Sequence, residues 1–233
     1  MRRSSQDGYA TPAAAIIALT VAVVVIAGLT RSMAELRLAR SEFQKTRIEY
    51  ALGAAHNLAV LSVASSGRPP PFHWTLTTLE QGFDVIAEPE RTKLALAAAD
   101  QLDDTLLDRL DVGDHEALRA RLAALAEQPW LVWPAEASSR QRWRVCGPSL
   151  ISFYGAGVET PAISYGPPEA GQNDSHWRAG EVWRFAVTDS EGWRDERIVR
   201  FTGNGLNPVA VIGRRLTRGW KDTPACDTLL DAV

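Results

Sequence analysis

An uncharged run from Tyr9 to Leu29 does most to limit what this chain can fold into, because it passes straight into charged sequence with no helix breaker between. Roughly 21 residues at about 1.5 Å rise cover a hydrocarbon core of about 30 Å, so the run is long enough to span a bilayer. A secretory signal peptide has a shorter apolar core and a small-residue cleavage site, for which "VIAG" at Val25 to Gly28 is a weak match. The residues beyond the run argue against a signal peptide. From Thr30 to Ser65 there is no proline and one glycine, Gly53, and Leu29, Leu36, Phe43 and Tyr50 recur at a helical seven-residue spacing.

The periodicity therefore predicts one helix from about Ala13 to Ala64, on the order of 75 Å long at about 1.5 Å per residue, far beyond what anchoring needs. "SSGRPPPF", Ser65 to Phe72, ends it, because prolines cannot continue a helix. Leu52, Leu58, Val60, Leu61 and Val63 make the last turns apolar on more than one side, as expected where a helix lies against a globular domain. Arg2 and Arg3 precede the run and Arg31, Arg37, Arg40, Lys45 and Arg47 come after it among glutamates, so charge counting alone leaves the orientation open.

A short basic leader ending in Gly8, an aromatic Tyr9, an apolar stretch and an unbroken amphipathic helix resemble the type IV pilin and pseudopilin family. The resemblance implies a prepilin peptidase cut between Gly8 and Tyr9, methylation of the new N-terminus, a cytoplasmic leader and a domain on the periplasmic side of a bacterial inner membrane. Most members carry glutamate at the fifth mature position, which is Ala13 here. The K-type minor pseudopilin of the type II secretion system (general secretion pathway protein K) is the member that lacks it. That likeness implies a subunit at the pseudopilus tip, with the I, J and H types as partners, supporting export across the outer membrane.

With 233 residues and 45% apolar content, the remainder suits one soluble domain of ordinary size. The expected fold is α+β: a long helix packed on a small antiparallel sheet with an inserted helical subdomain. Residues 1–8 read as leader, 9–29 as the span, 30–66 as the helix's continuation and 67–90 as a first sheet segment. Residues 91–128 read as the helical insertion, 129–218 as a sheet domain with a hairpin and final strand, and 219–233 as a tail.

Val85 and Ile86 give a strand signal, after which two helical stretches are parted by Gly113. Leu102, Leu106, Leu107 and Leu110 share one helical face, and Asp114 is a plausible N-cap for a helix bearing Leu118, Leu122 and Leu125. Glu90, Lys93 and Ala99 stand in the order of a K-type segment, with that family's glycine and asparagines replaced near Thr92, Ala95 and Ala97. The Gly- and Pro-rich stretch from Cys146 to Arg178 reads as loop. "GEVWRFAVTDSEGWRDERIVRFTG", Gly180 to Gly203, alternates as an antiparallel hairpin turning at Asp189 to Gly192, and "NPVAVIGRRL", Asn207 to Leu216, supplies a third strand. Of eight tryptophans, six lie between Trp130 and Trp193, where large rings are expected to fill the core of a small sheet domain.

Chemistry is sparse. A net charge of -3 gives no broad pull toward nucleic acid, and none is expected as a partner. His56, His73, His115 and His176 stand at no ligand spacing, there is no HExxH, GxSxG, P-loop or GxGxxG, and "TGNGLNP" at Thr202 to Pro208 reads as a turn. The expectation is no enzyme and no catalytic or metal residues. Calcium enters only through the family likeness, since Asp100, Asp103, Asp104, Asp108, Asp111 and Asp114 follow helix spacing rather than a calcium loop. Glu80 and Asp84 share a conceivable helix face without a substrate to oppose. Cys146 and Cys226 form no metal motif; an oxidising compartment would let them bond, closing a long loop worth roughly 2 to 4 kcal/mol, and the alternative is two unrelated buried thiols.

Overall fold

A computed structural model describes residues 10–78, 81–127, 141–159, 165–169 and 176–218. Helix α1, Ala10–Ala64, runs unbroken through Thr30. The chain divides into two units, the first ending at Tyr50 and the second beginning at Ala51. In the first unit α1 is long and apolar enough to cross a membrane, and none of its most apolar window is buried. Apolar exposure continues past the span, with Phe43 at 72% and Tyr50 at 77%. Arg31 and Glu35, 3.1 Å apart one turn on, are both exposed, and such pairs add little to stability.

The second unit begins with the last turns of α1, where Leu52, Ala55, Ala59 and Val63 are buried together at helical spacing. Leu58 and Leu61 face outward, so the apolar surplus of these turns is only partly used by the core. Five antiparallel strands come next: β1 Phe72–Thr78, β2 Gln81–Pro89, β5 Val182–Asp189, β6 Trp193–Phe201 and β7 Val209–Arg218, ordered β1-β2-β5-β6-β7. Cross-strand partners share a face, so the register sorts the side chains. Phe83, Val85, Phe185, Val187 and Val199 fall on the apolar face, which the last turns of α1, from Ala51 on, cover. Phe72 stacks on Trp183 at 6.2 Å and Trp177 on Phe201 at 4.7 Å, extending that core.

The other face carries Glu88, Arg184 and Glu196, and a helical insertion covers it. Short β3, Leu94–Ala95, leads through tight 3-10 turns into α2, Asp104–Arg109, and α3, His115–Glu127. Helix α4, Gln141–Leu150, and β4, Ile151–Ser152, complete the insertion, with β4 paired parallel to β3. Leu102, Leu107, Leu118, Leu122, Trp143, Cys146 and Leu150 form one buried cluster. As expected, Asp114 caps α3, accepting from the Ala117 N–H at 2.9 Å.

Two expectations are corrected here. Residues 146–152 are not loop: Trp143, Cys146 and Leu150 lie on one helical face that packs into the insertion's core despite Pro148. Gly147, which reads as a breaker, is instead a close-packing residue, since a Cβ there would stand 3.0 Å from the Trp143 ring. Asp84 lies in β2, not on a helix, and its partner is His73 at 2.7 Å; Glu80 lies outside the described residues. Trp143 and Trp183 are core side chains, Trp74, Trp177 and Trp193 are partly buried, and Trp130 and Trp133 lie outside the described residues.

Candidate functional site: a buried charge network beside a cavity

The alternation of β5, "VWRFAVTD", places Trp183, Phe185 and Val187 on one side and Arg184 on the other. In an antiparallel sheet with one wet face Arg184 would be solvated. Here the insertion closes over it, leaving it 2% exposed. Burying an isolated charge is expensive, so partners are required. Arg184 donates from Nε at 3.1 Å and Nη2 at 2.7 Å to Glu88 Oε2, from Nη1 at 2.8 Å to Glu196 Oε1, and from Nη2 at 2.7 Å to Ser149 Oγ on α4.

Glu88 also faces Lys93 Nζ at 2.9 Å and accepts a hydrogen bond from the Tyr165 hydroxyl. Lys93 reaches Glu90, which accepts in turn from Ser152, and Glu196 accepts from Arg215 at 2.5 Å. Glu88, Glu90 and Glu196 are thus balanced by Lys93, Arg184 and Arg215, with β2, β5, β6, β7, α4 and β4 all contributing. Burial opposes ionisation of Glu88, but Arg184 and Lys93 together hold its carboxyl well below the usual range. Glu196 is depressed likewise: burial opposes its ionisation, and Arg184, Arg194 and Arg215 together outweigh it. Burial raises the Tyr165 hydroxyl, and Glu88 beside it adds to the effect. With Glu88 and Glu196 held ionised and matched to donors, the arrangement works as a latch between sheet and insertion.

A second constellation lies on the apolar face. His56 of α1 is 2% exposed and its Nε2 lies 2.9 Å from the Asp195 carbonyl oxygen. That oxygen only accepts, so Nε2 carries the hydrogen. Burial, then the Arg197 charge, lower the His56 pKa to about 4, so the ring is neutral near pH 7. The Asp195 carboxylate is bound by Arg197 at 2.7 Å and Arg214 at 3.0 Å, one anion facing two guanidiniums.

Between sheet and insertion lies a cavity of about 290 Å³. Arg184, Glu196 and Ile198 border it from the sheet, Leu125, Pro148 and Ile151 from the insertion.

Among residues singled out in the sequence, Gly8, Tyr9 and Cys226 lie outside the described residues, and Ala13 lies in the first turn of α1. Cys146 is fully buried in α4, and no free thiol occurs among the described residues. Of the insertion's acids, Asp104 lies 2.6 Å from Arg119 and 3.0 Å from His115, Asp108 3.1 Å from His115, and Asp111 3.5 Å from Arg142. The described residues hold no group of three or more His, Cys, Asp or Glu side chains arranged for a metal ion. Glu90 and Lys93, noted in the sequence only for their order, are network members, and nothing in the sequence separates Arg184, Glu196 or Ser149 from surface residues. No protein-family model matches the chain, and neither a curated protein nor a solved structure does.

Proposed function

We propose that the chain is a minor pseudopilin of the K type, a single-span inner-membrane subunit that supports protein export by assembling at the tip of a secretion pseudopilus. The observation that carries this reading is α1 itself: continuous from Ala10 to Ala64, apolar and unburied in its first part, and packed on an antiparallel sheet by Leu52, Ala55 and Val63. In this reading prepilin peptidase cleaves after Gly8 and Tyr9 becomes the methylated N-terminus. Ala13 then leaves no carboxylate within the apolar bundle, where a charge is costly. The mechanism is assembly rather than catalysis. Coassembly with I, J and H types is driven by removing apolar helix surface from water, at roughly 25 cal/mol per Å².

Mass spectrometry of the protein recovered from membranes tests it. A mature chain beginning at methylated Tyr9 supports the proposal; an intact Met1, or a start at Gly28, overturns it. A second reading, a membrane-anchored periplasmic interaction protein with an uncleaved anchor, draws on the cavity beside Arg184. An intact N-terminus together with a ligand in that cavity would favour it.

A further inference from the structure

The turn joining β6 to β7 carries Asn204 directly before Gly205, and both residues are exposed. With no Cβ at Gly205, nothing on that residue screens its backbone nitrogen from the Asn204 side chain. The surroundings leave it open as well, since a Cβ built at Gly205 would meet no atom within 4 Å.

The hydrogen bonds of the turn arrange the rest. The Asn204 N–H donates to Thr202 Oγ1 at 3.1 Å, and the Leu206 N–H donates to Asn204 Oδ1 at 2.9 Å. At the base of the turn the Thr202 N–H donates to the Pro208 carbonyl at 2.9 Å. The Gly205 N–H lies between two engaged donors and has no partner among the described residues. The nitrogen next to the Asn204 amide is therefore free to give up its proton, while the amide oxygen is already held by a donor.

We propose that Asn204 is a site of spontaneous covalent modification, in which the Gly205 nitrogen attacks the Asn204 side-chain amide to form a succinimide that water opens to aspartate and isoaspartate. The Gly205 nitrogen loses its proton to solvent hydroxide, and its electron pair forms a bond to Asn204 Cγ. The Cγ–Nδ2 bond breaks, and Nδ2 takes up a proton and leaves as ammonia. Water then adds to one of the two imide carbonyls. Addition at Cγ breaks the new bond and leaves aspartate. Addition at the Asn204 backbone carbonyl breaks the original peptide bond, so that the chain runs on through Cβ as isoaspartate. One water is consumed and one ammonia released, with no oxidant or reductant. Nucleophile and amide are neighbours in one chain, which makes the attack intramolecular. Negative charge develops on Oδ1 as the bond forms, and the Leu206 N–H at 2.9 Å is a donor already aimed there.

The chain's other asparagines differ. Asn57 lies within α1, where helical bonding occupies the Leu58 N–H. Asn207 precedes Pro208, which has no N–H to lose. Asn173 lies outside the described residues. Both products place a carboxylate in a turn, Thr202 to Pro208, that otherwise carries no charge, and isoaspartate also lengthens the backbone leading into β7. This proposal goes beyond the assembly reading and depends on neither leader cleavage nor the membrane.

The test incubates the full chain in detergent micelles, in mildly alkaline buffer made with heavy-oxygen water, and follows tryptic peptides by fragmentation mass spectrometry. Asn204 is expected to convert at least about tenfold faster than Asn57 or Asn207, gaining one heavy oxygen and yielding both aspartate and isoaspartate. Gly205→Val, whose branched side chain screens the nitrogen, is expected to slow conversion about tenfold or more with an unchanged circular dichroism spectrum. Conversion in the folded chain is expected to be at least as fast as in the chain unfolded by urea, because the turn keeps the Leu206 donor in place. Conversion of Asn204 no faster than that of Asn57 overturns the proposal. So does a product free of isoaspartate, or a folded Gly205→Val chain that converts at the wild-type rate. Conversion about tenfold slower in the folded chain than in urea would show that the turn holds the two groups apart, and overturns it as well.

Discussion

Arg184 and Glu88 stand directly opposite one another on β5 and β2, with Nη2 and Oε2 2.7 Å apart and both side chains at most 3% exposed. Removing one partner of such a pair strands the other, so Arg184→Met is expected to destabilise the second unit by about 3 to 5 kcal/mol. Replacing both, with Glu88→Leu added, leaves Lys93 with Glu90 and Glu196 with Arg215. The double variant should therefore be more stable than Arg184→Met alone. Denaturant unfolding of the wild type, both single variants and the double variant measures the coupling. A double variant destabilised by the sum of the two singles would show that the pair is not coupled.

The same pair shows which parts of the fold the sequence discloses. Helix α1, the hairpin of β5 and β6, the strand after it and the Asp114 cap are local features, each written in periodicity, turn residues or a short offset. The latch is not local. Strands β5 and β6 alternate as if one face were wet, and only the insertion, joined through β3 and β4, turns Arg184 and Glu196 into buried residues. Composition cannot distinguish a solvated arginine from one closed over by an element far away in the chain. Helix α4 was hidden for a different reason: Gly147 and Pro148 punctuate it like loop, while the contact that requires the glycine is with Trp143, one turn back. The cavity has no local signature at all.

Cys146 is buried in the insertion's core and Cys226 comes after β7 in the chain. Protein purified from an oxidising compartment without reductant is expected to yield a single cross-linked peptide containing both residues on mass spectrometry. Cys226→Ser should then lower stability by about 2 to 4 kcal/mol, the range for closing a long loop. Free thiols at both positions under those conditions would rule the bond out.

Asp114 accepts the Ala117 N–H at the start of α3, whose Leu118, Leu122 and Leu125 are buried in the insertion. Asp114→Ala removes the acceptor without touching those leucines, and is expected to cost about 0.5 to 2 kcal/mol. Asp114→Ser restores a capping oxygen and should recover most of the loss. If serine and alanine prove equal in thermal unfolding, the hydrogen bond is not what matters at that position.

His56 gives the fold a pH dependence whose sign is fixed by its burial. Its pKa is lowered from 6.5 to about 4, first by desolvation and then by Arg197, against the opposing pull of Asp195. Between those values the unfolded chain holds a proton there that the folded chain does not, so stability rises with pH across the interval. The contribution is fully present above about pH 6.5, declines as pH falls through the interval and is exhausted near pH 4. A shift of that size corresponds to about 3 kcal/mol at most. Asp189, whose carboxyl is raised by burial, acts in the opposite sense, and Glu88 and Glu196 lose their contribution only below the ordinary carboxylate range. His56→Gln separates these effects, because its amide can still donate to the Asp195 carbonyl but does not titrate. Urea unfolding at pH steps between 4 and 7 should show the wild type losing stability relative to His56→Gln as pH falls. Parallel curves would mean that the ring is not held neutral between α1 and the sheet.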